Sequence, residues 1–237
     1  QNGIQEKWDT PEPGALMKGK RGLIMGVANR NSIAWGIARA LSQHGAQLAF
    51  TYQGEALERR VRPLAKSVSS DLVMPCDVED ATSINTVFET LREAWSNLDF
   101  IVHAIAYSDK EELKGRYVNT SRNNFLRTLD VSCYSFTEIA RKGTPLMHNG
   151  GSLVSLSFFG SERVMPNYNV MGVAKAALEA SIRYLAVDLG PLNIRVNGIS
   201  AGPMRTLAGS AIGGAREILR RSQETAPLNR TLCQEDI

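Results

Sequence analysis

Tyr168 and Lys175 stand seven residues apart in the run from Pro166 to Ala177. On one continuous helix that spacing is close to two turns, so a phenol and an amine would share a face, with the amine about 10 Å further along the axis. A cation so placed favours the charged or hydrogen-bond-donating state of the phenol, and a donor of that kind suits a reaction in which negative charge builds on a substrate oxygen. Position 172, one turn after the tyrosine, is a glycine. Tyrosine and lysine also meet at this spacing by chance on solvated helices, so the surrounding elements must decide.

A second chemical feature lies between Gly26 and Ala38, in the run Gly-Val-Ala-Asn-Arg-Asn-Ser-Ile-Ala-Trp-Gly-Ile-Ala. Gly26 lets the backbone turn tightly beside a ligand, Ser32 carries a hydroxyl, and a helix opening there offers free amides and a partial positive charge to a pyrophosphate. The run is not Gly-x-Gly-x-x-Gly, and glycine counting alone reads it as a plain β-turn-α connection. A third string, Gly198-Ile199-Ser200-Ala201-Gly202, matches the Gly-x-Ser-x-Gly of serine hydrolases. That chemistry needs a helix straight after the serine and a later histidine, whereas Pro203 follows almost at once and no histidine comes after His148.

The elements that must position these residues alternate along the chain. β-rich runs at Gly22 to Gly26, Gln47 to Gln53, Asp71 to Cys76, Leu98 to Ala104, Ser152 to Ser157 and Ile194 to Ser200 predict six strands. Between them, helices are predicted over Ser32 to His44, Glu55 to Val68, Asp80 to Trp95, Arg122 to Lys142 and Pro166 to Asp188. This is the pattern of a Rossmann-type, doubly wound α/β parallel sheet. Gly45 stands where a left-handed helix cap is wanted, and Gly190-Pro191 closes the long helix.

The 237 residues suffice for one such domain, read here as residues 20–237 behind a polar leader at residues 1–19 with no signal-peptide core. The 27 basic and 24 acidic residues form no long basic block, which argues against a nucleic-acid partner. Cys76, Cys133 and Cys233 are odd in number and widely spaced, as are His44, His103 and His148; no disulfide framework or metal motif is expected. No apolar run is long enough to span a membrane, and a cytoplasmic location is expected.

Taken together, Gly26 to Ala38, Tyr52-Gln53, Cys76-Asp77-Val78, Val102 to Ile105, Pro166 to Ala176 and Ser200 to Ala208 closely resemble the NADH-dependent enoyl-acyl-carrier-protein reductases of bacterial type II fatty-acid synthesis, within the short-chain dehydrogenase/reductase superfamily. The Tyr-x6-Lys spacing marks that subfamily, since most of the superfamily pairs the two residues four apart; the Met204 to Ala208 segment is similarly specific. The resemblance implies an oxidoreductase that delivers hydride to the β-carbon of a trans-2-enoyl thioester on acyl carrier protein. Tyr168 would stabilise the enolate oxygen and Lys175 would bind the nicotinamide ribose. Gly26, Ser32 and Ile33 would hold the phosphates, Gln53 would lie at the adenosine ribose, Asp77 and Val78 at the adenine, and Ile105 with Met204, Thr206, Leu207 and Ala208 at the cofactor wall. Ser108, Phe158, Met165 and Tyr168 would line the substrate.

Gln53 is neutral where many NAD enzymes carry an acid, and Arg59 and Arg60 could serve a 2′-phosphate, so NADPH stays open beside NADH. The resemblance further implies a covering loop at residues 204–214 with hinge points at Gly209, Gly213 and Gly214. It implies carrier-protein docking on Arg216, Arg220 and Arg221, and a homotetramer in which Ala176, Ala177, Ala180 and Ser181 permit close helix packing. Two departures stand out. Phe158 occupies a position where the family usually has a second tyrosine, and the family continues past Gln234 to Ile237 into another helix and a final parallel strand, so either this sequence is a piece or the sheet lacks that edge strand. The rival readings are a carbonyl reductase or alcohol dehydrogenase of the same superfamily, against which Gly172 argues, and a dinucleotide-binding regulator without turnover.

Overall fold

The computed structural model describes residues 14–210 and 213–237; most of the expected leader, residues 1–13, lies outside them. Six parallel strands, β1 (Arg21–Met25), β2 (Gln47–Tyr52), β3 (Val73–Pro75), β4 (Phe100–His103), β5 (Gly151–Ser157) and β6 (Ile194–Ser200), lie in the order β3-β2-β1-β4-β5-β6. The chain therefore starts in the middle of the sheet, works outward to one edge, then returns to build the other half, the doubly wound topology that opens a crevice at the carboxyl ends of β1 and β4.

Strand side chains alternate between two cores, as a two-residue repeat requires. Leu23 and Met25 of β1 pack on one face with residues of α3 (Ala81–Ala94), α5 (Ser135–Gly143) and α6 (Asn169–Leu189), such as Phe88, Phe136 and Leu178. Ile24 points to the other face, against Trp35 and Ala38 of α1 (Ile33–Gln43) and Val61 and Ala65 of α2 (Gly54–Ser67). Because both faces are covered, the strands read as apolar runs rather than alternating ones.

Local chemistry sets the element ends. Asp80 caps α3 by accepting the Thr82 amide at 2.8 Å. Gly45 follows α1 with φ +94°, the left-handed step expected of it. β3 is shorter than the predicted Asp71 to Cys76 run, and its last residue, Pro75, has no amide to donate, which suits a strand at the sheet edge.

Two helices differ from expectation. The predicted helix from Arg122 to Lys142 is interrupted: α4 (Arg122–Leu129) passes through a π turn at Asp130–Tyr134 before α5 begins. In that wide turn Ser132 Oγ accepts the Tyr107 amide and donates to the Tyr107 carbonyl, so the irregularity exchanges regular helix for contact with the segment after β4. The long helix starts at Asn169 rather than Pro166, which leaves Tyr168 outside it as the N-cap residue. Two short helices, α7 (Leu207–Ser210) and α8 (Ala215–Thr225), follow β6. Among the described residues no helix is long and apolar enough to cross a membrane, and no cluster of His, Cys, Asp and Glu could hold a metal ion.

His103, at the end of β4, is fully buried. Its Nε2 lies 2.9 Å from Ser135 Oγ, which itself donates to the Val131 carbonyl, so the ring donates there and remains neutral. Burial, reinforced by the Lys175 charge, pulls its pKa down to about 3. The folded form thus binds the proton less well than the unfolded chain, so the stability is present above the ordinary histidine value and is lost as pH falls toward 3. Urea unfolding should show stability about 2 kcal/mol lower at pH 5 than at pH 7 from this residue alone. That difference should shrink in His103→Gln, which does not titrate; an unchanged pH dependence would contradict the assignment.

Candidate functional site

All six strands end on the same side of the sheet, and the sequence-predicted site residues follow those ends: Gly26 after β1, Gln53 after β2, Asp77 and Val78 after β3, Ile105 after β4, Phe158 after β5, Met204 and Thr206 after β6. A cleft of 1290 Å³ opens there. It is lined by Ile33, Ile105, Ser108, Phe158, Met165, Tyr168, Lys175, Met204, Thr206 and Leu207 among the predicted residues. Gly26, Ser32, Gln53, Asp77 and Val78 lie outside its lining and continue the line of strand ends toward β3. The Ala208 side chain falls outside the described residues.

The loop after β1 is built around Gly26 and Ser32. Gly26 has φ +96°, and a Cβ there would run into the Ala104 carbonyl, so only glycine permits β1 and β4 to approach at their ends. Ser32, expected as a hydroxyl donor, accepts the amides of Ala28 at 3.0 Å and Asn29 at 3.1 Å, which curls the loop over the start of α1. The Ile33 amide, in the first turn of α1, has no acceptor among the described residues while Ile33 lines the cleft. A free amide at a helix start fits an anionic group.

Tyr168 and Lys175 converge on this cleft by a route other than a shared helix face. Tyr168 has φ −107° and sits between two residues in the left-handed region, Asn167 at φ 59° and Asn169 at φ 38°, and only Lys175 is helical. Asparagine tolerates that region better than most residues. Side-chain bonds steady both turns: Asn167 Nδ2 donates to the Gly213 carbonyl at 2.9 Å, and Asn169 Nδ2 to the Glu112 carbonyl at 3.3 Å. The phenol ring is 6% exposed and packs edge-on against Phe158, with centroids 5.1 Å apart.

Electrostatics also differ from the expectation that the lysine governs the phenol. Burial alone pushes the Tyr168 phenol above the usual tyrosine range, so it stays protonated and able to donate at neutral pH. Lys175 is buried as well and donates from Nζ to the Leu156 carbonyl at 2.6 Å. Its pKa is drawn down to about 8 by burial, partly opposed by Cys133 and by Glu179, so at neutral pH it is still a cation. Glu179, one turn beyond Lys175 on α6, accepts the hydroxyls of Ser157 and Ser161.

Several of these partners were missed in the sequence. Glu179 could have been found from its four-residue offset to Lys175; the Leu156 carbonyl carries no side-chain signal. Ser108 is committed to a buried polar cluster, accepting from Asn124 Nδ2 at 3.1 Å and Thr128 Oγ1 at 2.9 Å. Arg127 stacks over the Tyr107 ring at 4.4 Å and binds Glu79 through two nitrogens, tying the α3 entry to the cleft wall.

Ion pairs and backbone shape describe the remaining sequence-predicted features. Arg59 pairs with Glu55 on a highly exposed face of α2. On α8, Arg220 pairs with Glu217 and Glu224, and Arg221 with Glu217, which leaves Arg216 as the one of the three with no carboxylate partner among the described residues. Of the expected hinge glycines only Gly214 has a left-handed backbone, φ +77°. Ser200 ends β6 without a helix behind it, since α7 begins only at Leu207, so the hydrolase arrangement is not formed.

Gly172 is explained by contact. A Cβ there would stand 2.7 Å from the Gly160 carbonyl, and a Cβ on Gly160 would enter the Tyr168 ring. No side chain fits one turn after the tyrosine, and the amine has to come from further along α6.

The family model described as enoyl-(acyl carrier protein) reductase matches residues 26–237. The enoyl-[acyl-carrier-protein] reductase [NADH] 2 of Rhizobium meliloti is 62% identical over 222 residues, 94% of this chain and 83% of that protein. The FabI structure from Candidatus Liberibacter asiaticus superposes with TM-score 0.92 at 57% identity, covering 94% of this chain and 86% of that one. The reductase of Anaplasma phagocytophilum, solved with NAD, gives 0.91 at 57% identity over 94% and 85%, and that of Bacillus cereus, solved with NADP+ and indole naphthyridinone, 0.91 at 49% over 93% and 87%.

Replacing Gly172 by alanine should lower stability by about 1–3 kcal/mol, the range for forcing a methyl into a packed contact. Urea melts measure it; a variant as stable as the parent would show that the Gly160 contact is loose.

Proposed function

The chain belongs to the enoyl-(acyl carrier protein) reductase family, and from that premise we propose that its cleft reduces a trans-2-enoyl thioester on acyl carrier protein with NADH, in the last reductive step of fatty-acid elongation. The observation that carries this reading is the meeting of a protonated, buried phenol and a buried cation in the cleft that also receives the free amide end of α1.

NADH, when bound, supplies the hydride that reaches the β-carbon of the enoyl group. As that bond forms, the double-bond electrons move toward the thioester oxygen, and Tyr168 is the donor placed to meet the charge there. A single preorganised donor of this type lowers a barrier by about 3–4 kcal/mol. Lys175 would hold the nicotinamide ribose through the ammonium hydrogens not directed at the Leu156 carbonyl, and would keep the local potential positive. A proton from solvent or from the Tyr168 phenol then completes the α-carbon. Phe158 has no hydroxyl; its edge-on contact fixes the Tyr168 ring and presents an apolar wall to the acyl chain.

The residues at the strand ends suit a dinucleotide: Gly26, Ser32 and Ile33 at the phosphates, Gln53 at the adenosine ribose, Asp77 and Val78 at the adenine, and Ile105 with Met204, Thr206, Leu207 and Ala208 at the cofactor wall. NADH is favoured over NADPH because the relatives matched across most of the chain are named NADH-dependent reductases. Ser108 and Met165 complete the substrate wall. Met204, Thr206, Leu207 and Gly209, after β6, line the cleft and suit a cover over bound cofactor, and Asn167 Nδ2 ties Gly213 to the turn that carries Tyr168. Arg216 and the exposed Arg205, both at the cleft, suit an acidic carrier protein. Exposed Tyr184 and Val187 of α6, with Leu126 and Tyr134, offer apolar faces for a homotetramer.

Tyr168→Phe tests the reading. With a trans-2-enoyl thioester its kcat should fall on the order of 100-fold or more, while the dissociation constant for NADH stays near the parent's. Parent-like turnover would remove Tyr168 from the chemistry.

A further inference from the structure

The phosphate loop between β1 and α1 is gripped from outside by a residue that none of the proposed site roles includes. Gln234 opens a 3₁₀ turn at Gln234–Asp236, and its Nε2 donates to two loop carbonyls, Arg30 at 3.0 Å and Ser32 at 2.6 Å. A primary amide nitrogen carries two hydrogens and meets two acceptors here, a match that an acid of the same length cannot make. The Arg30 carbonyl has no other donor among the described residues.

The turn that presents Gln234 is itself fixed. Asp236 takes two bonds from Arg230, at 2.7 and 2.6 Å, and one from the Cys233 amide. Glu235 pairs with Arg39 of α1 at 2.9 Å. Gly36 of α1 lies directly under the glutamine, for a Cβ at that position would be 2.7 Å from Gln234 Cβ. The loop's inner side is held by Ser32 Oγ on the amides of Ala28 and Asn29 and by Asn29 Oδ1 on the Asn31 amide. Gln234 fastens the outer side, so both faces of the loop are set before any ligand arrives.

We propose that Gln234 is a positioning residue for cofactor binding, holding the phosphate loop in the shape that leaves the Ile33 amide at the start of α1 open to the cofactor's pyrophosphate. This rests on the reading that the loop binds those phosphates. A loop ordered in advance loses less freedom on binding, and the effect belongs to cofactor affinity, since Gln234 is remote from the reacting atoms.

Gln234→Met keeps the length and the packing on Gly36 but removes both donors. Its NADH dissociation constant, followed by fluorescence titration, should rise roughly tenfold, the effect of losing hydrogen bonds of ordinary strength. Its kcat at saturating NADH and its KM for the enoyl thioester should stay near the parent's, and amide hydrogen exchange of residues 27–32 should quicken. Gly36→Ala, which crowds the glutamine off the loop without removing its amide, should raise the NADH constant in the same direction and carries the test if Gln234→Met does not fold. An unchanged NADH constant overturns the proposal, as does an equal loss in kcat, enoyl KM and NADH affinity, the mark of general damage. A parent protein that binds no NADH would instead overturn the cofactor reading on which the proposal stands.

Discussion

A lysine ammonium buried against one backbone carbonyl is the constraint around which this site is arranged. Lys175 reaches from α6 to the Leu156 carbonyl near the end of β5, and keeping it charged at neutral pH against a pKa near 8 costs about 3 kcal/mol relative to a solvated lysine. An isolated buried cation is a poor device for stability, and its presence in the cleft at the strand ends is better understood as chemistry retained against that cost. The surroundings limit the penalty without forming a direct salt bridge. Glu179 contributes negative charge one turn away but spends its carboxylate on Ser157 and Ser161, so the ammonium keeps hydrogens for a ligand.

Much else follows from where that cation must lie. With Gly172 pressed on the Gly160 carbonyl and Gly160 pressed on the Tyr168 ring, phenol, loop and helix fit together only without side chains at those two glycines. Tyr168 in turn is held by the two left-handed asparagines and by Phe158. Burial keeps its proton on, so it can donate a hydrogen bond, as the proposed reaction requires of it. One phenol thus serves the proposed reaction, and the phenylalanine beside it acts through packing.

The sheet and its six strands were legible in the sequence because strand periodicity and the β-α alternation are strong local signals, and Gly26 could be read from the tight turn it occupies. The Tyr168 and Lys175 pair was legible as chemistry but not as geometry. The long helix was expected from Pro166, whereas backbone reversals at Asn167 and Asn169 hold the tyrosine ahead of it, and nothing in residue spacing reveals a left-handed asparagine. The π turn at Asp130–Tyr134 was equally hidden, because Ser132 gains its partners from Tyr107, distant in sequence. The Leu156 carbonyl and the amide clamp of Gln234 are tertiary contacts of backbone groups, to which sequence patterns are blind. Arginines on α8 were read as a docking face for the carrier protein, and only the folded helix reveals the glutamates that engage two of them.

In the proposed reaction the phenol meets an enolate oxygen while hydride goes to carbon, rather than protonating a carbonyl that is itself reduced. NADH absorbance followed with a trans-2-enoyl thioester beside the matching 3-ketoacyl thioester separates the two. Rapid NADH oxidation is expected with the enoyl substrate and essentially none with the keto substrate; oxidation with the keto substrate alone would contradict the enoyl reductase reading.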